Sequence, residues 1–152
     1  MVATFNVFAD DWEYEFDRPG RSFRDTPIAP RLGAELLGAS LYELPPGERL
    51  WPYHFHHGNE ELLVVLAGTP TLREPGGERP LEPGDCVLFP RGPDGAHALR
   101  NETGEPARFL IFSTLLAPEI VTYPDSGKVG ARSEWTRGNF LEQSSVDYWE
   151  GE

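Results

Sequence analysis

The sequence predicts an all-β fold, an antiparallel barrel or sandwich, from three observations. Short runs rich in Val, Leu and Phe recur between residues 37 and 115, each bounded by turn-forming residues. Gly and Pro number 16 and 15 of 152 residues, so the chain turns often and short strands are favoured over long helices. Hydrophobic content of 39%, with 12% aromatics, fits a packed chain rather than a disordered one, and 152 residues suit a single domain spanning 1–152.

Residues 1–36 mix Phe5, Phe8, Trp12, Tyr14, Phe16 and Phe23 with charges and turn formers, without sustained helical or strand periodicity. They read as an N-terminal arm wrapping the core, its aromatics buried on the same subunit or on a neighbour. The core, residues 37–115, is a succession of predicted strands. The first, 37–44, is closed by Pro45-Pro46-Gly47; the second is 50–55; the third, 61–67, ends at Gly68-Thr69-Pro70. Strands 71–74 and 78–81 flank Pro75-Gly76-Gly77 as a hairpin, and 86–89, 97–101 and 108–115 follow. Residues 116–152 form a C-terminal extension, or tail, in which Tyr148 and Trp149 are expected to dock on a surface.

The formal charge of −12 repels phosphate backbones and anionic membrane surfaces, so neither nucleic acid nor a membrane is an expected partner. A single cysteine, Cys86, excludes an internal disulfide framework; in the apolar run Cys86-Val87-Leu88-Phe89 it is expected to be a buried, inert thiol. The first residues lack both the basic and the apolar stretch of a secretory leader, and no run approaches the roughly 20 apolar residues of a membrane helix. A cytoplasmic location is the expectation.

All four histidines fall in two segments, Tyr53-His54-Phe55-His56-His57-Gly58-Asn59-Glu60-Glu61 and Gly92-Pro93-Asp94-Gly95-Ala96-His97. His54 and His56, two apart on a predicted strand, leave the same face and can converge on one ion, while His57 points elsewhere. A turn over residues 57–60 then brings the carboxylate of Glu61 beside the imidazoles, and His97 can reach the same point from across the sheet. Three imidazoles and one carboxylate suit a divalent transition metal (Mn, Fe, Co, Ni or Zn) better than Ca or Mg.

These residues resemble the cupin superfamily. Its first motif is matched by Gly47, His54-Phe55-His56, Glu61 and Gly68, and its second by Gly84, Pro90-Arg91-Gly92, His97 and Asn101. Six residues separate Gly47 from His54, one more than the family pattern, and four separate Gly92 from His97, two more, which lengthens the loop before the last histidine. Glu60 competes with Glu61; the spacing to Gly68 and the shared face of Glu61, Leu63 and Val65 favour Glu61. The resemblance implies a cupin-type antiparallel β-barrel (double-stranded β-helix, or jelly roll) holding one divalent metal through His54, His56, Glu61 and His97.

Asn101 is expected to be a structural or turn residue, and His57 a rim residue. Arg49, Arg91 and Arg100 border the motifs, and each is expected to be solvated or ion-paired. Cupins include dioxygenases, isomerases, decarboxylases and lyases, and also proteins that bind a ligand without turning it over, so the resemblance implies the site and not the reaction. Three functions follow: a small metalloenzyme acting on a small oxygenated molecule, with Glu60, His57 or a tyrosine carrying protons; a metal-dependent binding or sensing module without catalysis; or a structural protein acting through its arm and tail. The expected partners are a small-molecule ligand or substrate and a second copy of the chain, since cupin folds often pair through sheet edges or arms.

Overall fold

The computed structural model describes residues 2–152. Its thirteen strands are β1 (Tyr14–Arg18), β2 (Arg21–Pro27), β3 (Leu37–Leu44), β4 (Phe55–His56), β5 (Glu61–Ala67), β6 (Thr71–Glu74), β7 (Gly77–Pro80), β8 (Cys86–Phe89), β9 (Ala98–Arg100), β10 (Ala107–Thr114), β11 (Glu119–Tyr123), β12 (Lys128–Arg132) and β13 (Arg137–Leu141). One helical turn, α1 (Ile28–Arg31), follows β2. Every strand pair is antiparallel. They form three sheets, ordered β1-β2-β3-β10-β5-β8, β13-β12-β11-β4 and β7-β6-β9. The all-β cupin-type barrel is therefore the fold.

β10 lies at the centre of the largest sheet, with Leu110 opposite Leu41 of β3 and Ile111 opposite Leu63 of β5. It is apolar on both faces because both are covered. Phe109 and Ile111 face an inner cluster with Leu63, Val65, Leu72, Leu81 and Leu99, whereas Leu110 and Phe112 face Phe5, Trp12 and Ile28 from the arm. Phe109 and Leu63 are fully buried, and each such side chain contributes about 1.5–3 kcal/mol. The same period-2 alternation that buries Leu63 and Val65 turns Glu61 inward at the end of β5.

The arm is more ordered than its sequence suggests. β1 and β2 form a hairpin, with Phe16 stacked on Phe23 at 4.9 Å, and β2 extends the main sheet beside β3. Its stability comes from that pairing and from ion pairs such as Arg24 with Glu43, which a local reading of periodicity misses. The arm aromatics Phe5, Trp12, Phe16 and Phe23 are thereby packed on the same chain, while Phe8 stays 66% exposed.

Within the C-terminal extension β11, β12 and β13 build a sheet on β4. Two further expectations are corrected. Tyr148 and Trp149 pack edge-to-face against each other and are 83% and 73% exposed, so they do not dock. Cys86 is exposed, because on the edge strand β8 the alternation turns Val87 and Phe89 inward and Cys86 and Leu88 outward. Among the described residues no helix is long and apolar enough to cross a membrane.

Candidate metal centre

The strand expected over 50–55 is broken, and the break shapes the site. Leu50 N–H donates to Leu99 O, and His54 and His97 exchange backbone hydrogen bonds of 3.1 and 2.9 Å. Four steps of chain from Leu50 to His54 thus face two from Leu99 to His97, so Trp51, Pro52 and Tyr53 bulge out of the ladder. Pro52 has no N–H with which to continue it. Only Phe55 and His56 then form regular strand, against Thr122 and Val121 of β11.

The bulge leaves His54 directly opposite His97, with ring centroids 4.6 Å apart, and His56 next to them. Ligand atoms of His54, His56 and Glu61 lie within 4.8 Å of one another. His97 joins this group through Glu61, its Nε2 3.1 Å from Glu61 Oε2, while His56 Nε2 lies 3.4 Å from the same oxygen. The longer loop before His97 is taken up by a 3₁₀ turn at Pro93–Gly95, pinned to β4 by Gly92 N–H donating to His56 O at 2.8 Å.

Ring orientation is fixed from behind. His54 Nδ1 donates to Pro52 O at 2.8 Å and His97 Nδ1 to Gly95 O at 2.9 Å; a carbonyl only accepts, so each Nδ1 carries a proton and each Nε2 is the ring atom left for a ligand. Phe89 stacks on the His97 ring at 3.7 Å and holds its plane. Among the described residues neither ring nitrogen of His56 nor Oε2 of Glu61 has a hydrogen-bond partner, although all three atoms are buried. Buried polar atoms without partners are costly, and a cation shared among them would satisfy the set.

The electrostatics suit the same reading. Burial, then the positive forms of His97 and His56, push His54 down to about 4, so it is neutral and able to ligate at neutral pH. Burial opposes the charge on Glu61, but attraction to His56 and His97 outweighs it and holds the carboxyl well below the usual carboxylate range. Burial likewise opposes the charge on His56, yet Glu61 and Glu119 outweigh it and raise its pKa.

Glu119, outside both motifs, also reaches the cluster, and the sequence pattern does not single it out. It is buried, its Oε1 lies 3.6 Å from His56 Nδ1, and it accepts the N–H groups of His57 and Gly58 at 3.1 and 3.3 Å. The buried Asn59 also donates to it, and accepts from Thr114 Oγ1 and Leu116 N–H, tying the turn before β5 to the start of β11. Glu119, Val121 and Tyr123 alternate along one face, as Glu61, Leu63 and Val65 do, which marks a strand face but does not by itself place it beside His56.

A cavity of about 340 Å³ opens over the cluster, lined by His54, His56, Glu61, Glu119, Tyr123 and Arg132 among others. His57 faces away, bonding Thr122 Oγ1 at 2.9 Å, and Glu60 is exposed, so of the proton carriers named from sequence these two do not border this cavity, whereas a tyrosine, Tyr123, does. Arg49 and Arg91 are exposed, and Arg100 pairs with Glu78 and Glu102. Asn101, fully buried, donates to Leu44 O and Glu105 O and accepts from Thr103, which is a structural role.

Fold and site together define an antiparallel β-barrel with imidazoles and a carboxylate converging in its interior. The Cupin domain family model matches residues 40–113, and the chain belongs to the cupin superfamily. Among solved structures, a candidate sugar phosphate isomerase from Acidithiobacillus ferrooxidans is 28% identical over 84% of this chain and 81% of its own, with a TM-score of 0.78. A cupin sugar phosphate isomerase from Silicibacter pomeroyi is 24% identical over 97% and 98%, with a TM-score of 0.83, a likeness of fold. The polyketide cyclase of Streptomyces resistomycificus is 26% identical over 77% and 84%, with a TM-score of 0.60. No curated protein matches the chain.

Proposed function

We propose that this cupin is a metal-dependent enzyme acting on a small oxygenated molecule, with one divalent transition ion (Mn, Fe, Co, Ni or Zn) held by His54, His56, Glu61 and His97. The observation that carries the reading is the set of buried, partnerless atoms on His56 and Glu61, beside two imidazoles whose free Nε2 atoms are aimed by backbone carbonyls. Such an ion would polarise an oxygen of the bound molecule and acidify a proton beside it.

The chain's own residues supply the rest. Glu119 places a carboxylate 3.6 Å from His56 Nδ1 and anchors the N–H groups of His57 and Gly58 beside it. Tyr123, whose ring lies 5.9 Å from that of His54 and which lines the cavity, is the group we assign to proton transfer. Trp51 and Val121 restrict water at the cavity wall. An isomerisation that moves a proton between neighbouring carbons needs only an ion, a proton carrier and a closed pocket. The likeness to the Acidithiobacillus protein supports that reaction class over oxygen chemistry.

Elemental analysis of protein purified without an affinity histidine tag tests the assignment, alongside His54→Ala and Glu61→Ala. About one ion per chain is expected in the wild type, with loss in both variants. Metal content unchanged in both variants would sink the proposal. Iron would shift the chemistry towards dioxygen, and manganese, nickel or zinc towards Lewis-acid isomerisation.

A further inference from the structure

The β11–β12–β13 sheet brings a row of charged residues onto the face that carries His56. In this ladder His56 is opposite Val121, Val121 opposite Gly130, and Gly130 opposite Asn139. One pleat along, Glu119 is opposite Arg132 and Arg132 opposite Arg137. Directly opposed residues project from the same face, so Arg132 and Arg137 share the face of His56 and Glu119. His56, Glu61, Glu119 and both arginines also line one cavity of about 330 Å³ adjoining the first.

Glu119 and Arg132 are opposite charges in directly opposed positions and would ordinarily pair, yet no ion pair joins them. Glu119 is turned towards His56 and the 57–59 turn. Arg132 is held by neutral acceptors alone: Ala131 O at 2.9 Å, Gly138 O at 2.7 Å and Asn139 Oδ1 at 2.9 Å. Of the five N–H donors of a guanidinium, three are occupied and two remain. The group lies over Gly130, where a Cβ would come within 3.1 Å of Nη1, so the glycine makes room for it.

Arg137 sits opposite Arg132 as a like charge, an arrangement that is unfavourable without an anion between the two. Neither arginine forms an ion pair among the described residues. The other arginine-rich cavity, containing Arg73 and Arg100, differs in this respect: those two are neutralised by Asp125 and by Glu78 with Glu102.

We propose that Arg132 and Arg137 form an oxyanion-binding pair at the mouth of the candidate metal centre, and that the molecule bound there carries a phosphate or carboxylate group. The proposal rests on reading the His54, His56, Glu61 and His97 cluster as the place where a small molecule meets the metal. The planar fork of Arg132, already oriented, donates its free N–H groups to an anionic oxygen, and Arg137 closes over it from the neighbouring strand. An anchored oxyanion would leave the uncharged end of the molecule directed at Glu61 and His56.

The test uses the full chain stripped of metal, titrated with inorganic phosphate and separately with acetate while the arginine Nε–Hε NMR signals are followed. The Arg132 signal should shift and saturate, and the anion that binds more tightly tells a phosphate site from a carboxylate site. R132Q and R137Q should each weaken binding by about tenfold or more, the scale of a lost charge-assisted contact. R137Q alters an exposed side chain and keeps the test readable if R132Q misfolds, and R49Q, at an exposed arginine of the other cavity, should bind as the wild type does. Equal affinity in wild type, R132Q and R137Q, or no saturation by either anion, overturns the proposal.

Metal content of the same proteins as purified separates the two failures. A wild type that holds metal but shows no saturable anion binding, or binding indifferent to R132Q and R137Q, sinks the arginine pair alone. A wild type without metal whose anion binding still depends on Arg132 sinks the metal reading and leaves the pair standing.

Discussion

His54, His56 and His97 do unequal work although all are imidazoles in one pocket. His54 and His97 are locked through Nδ1 onto carbonyls, whereas His56 has only carboxylates at longer range, 3.4 Å to Glu61 and 3.6 Å to Glu119. The titrations of His54 and His56 therefore oppose one another. His54, pushed down to about 4 from 6.5, is protonated more readily unfolded than folded, so its contribution to stability is present above 6.5 and is lost as pH falls towards 4. His56, raised above 6.5, contributes stability that is complete below 6.5 and lost as pH rises past its folded value. Glu61, depressed below 4.5, contributes stability lost only as pH falls below 4.5. Between 4.5 and 6.5 the slope from this cluster thus belongs to His54. Metal-free protein should lose urea resistance as pH falls through that interval, and His54→Gln should flatten the slope. An unchanged slope in the variant would place the titrating group elsewhere.

At the scale of elements, the loop carrying His97 is set by Gly95. A Cβ there would stand 1.8 Å from Pro90 O, a backbone atom that cannot swing aside, and Gly95 O is the acceptor that orients the His97 ring. Gly95→Ala should therefore cost about 1–3 kcal/mol in metal-free stability and also weaken metal uptake. Calorimetric unfolding and metal titration of the same variant check both, and a stability loss with unchanged metal affinity would show that the loop moves without the ring. The elements also differ in how far they could be read in advance. β5 and β6 were legible to the residue because apolar alternation and Gly/Pro turns are local, and the convergence of His54, His56, Glu61 and His97 was legible because their spacing was. Glu119 and Arg132 were not, since their placement depends on β11 pairing with β4 across more than sixty residues of chain. The β1–β2 hairpin was hidden for the same reason: β3 organises it, and its own periodicity does not.

For the whole molecule, the proposed ligand set draws on all three sheets. Glu61 opens β5 of the six-stranded sheet, His56 ends β4 of the four-stranded sheet, and His97 immediately precedes β9 of the three-stranded sheet. An ion held by these residues would cross-link the three sheets, adding to the side-chain packing and to backbone hydrogen bonds such as those between His54 and His97, and the unfolded chain offers no preformed equivalent. Its binding energy should therefore appear as stability of the entire fold. At a free metal concentration a hundredfold above Kd the gain is about 2.7 kcal/mol, lost again on chelation. Hydrogen exchange tests the distribution of that gain. Metal should slow the most protected amides of β5, β10 and β11 together, whereas protection confined to residues near His56 would mean that the ion stiffens one corner of the barrel and does not join its sheets.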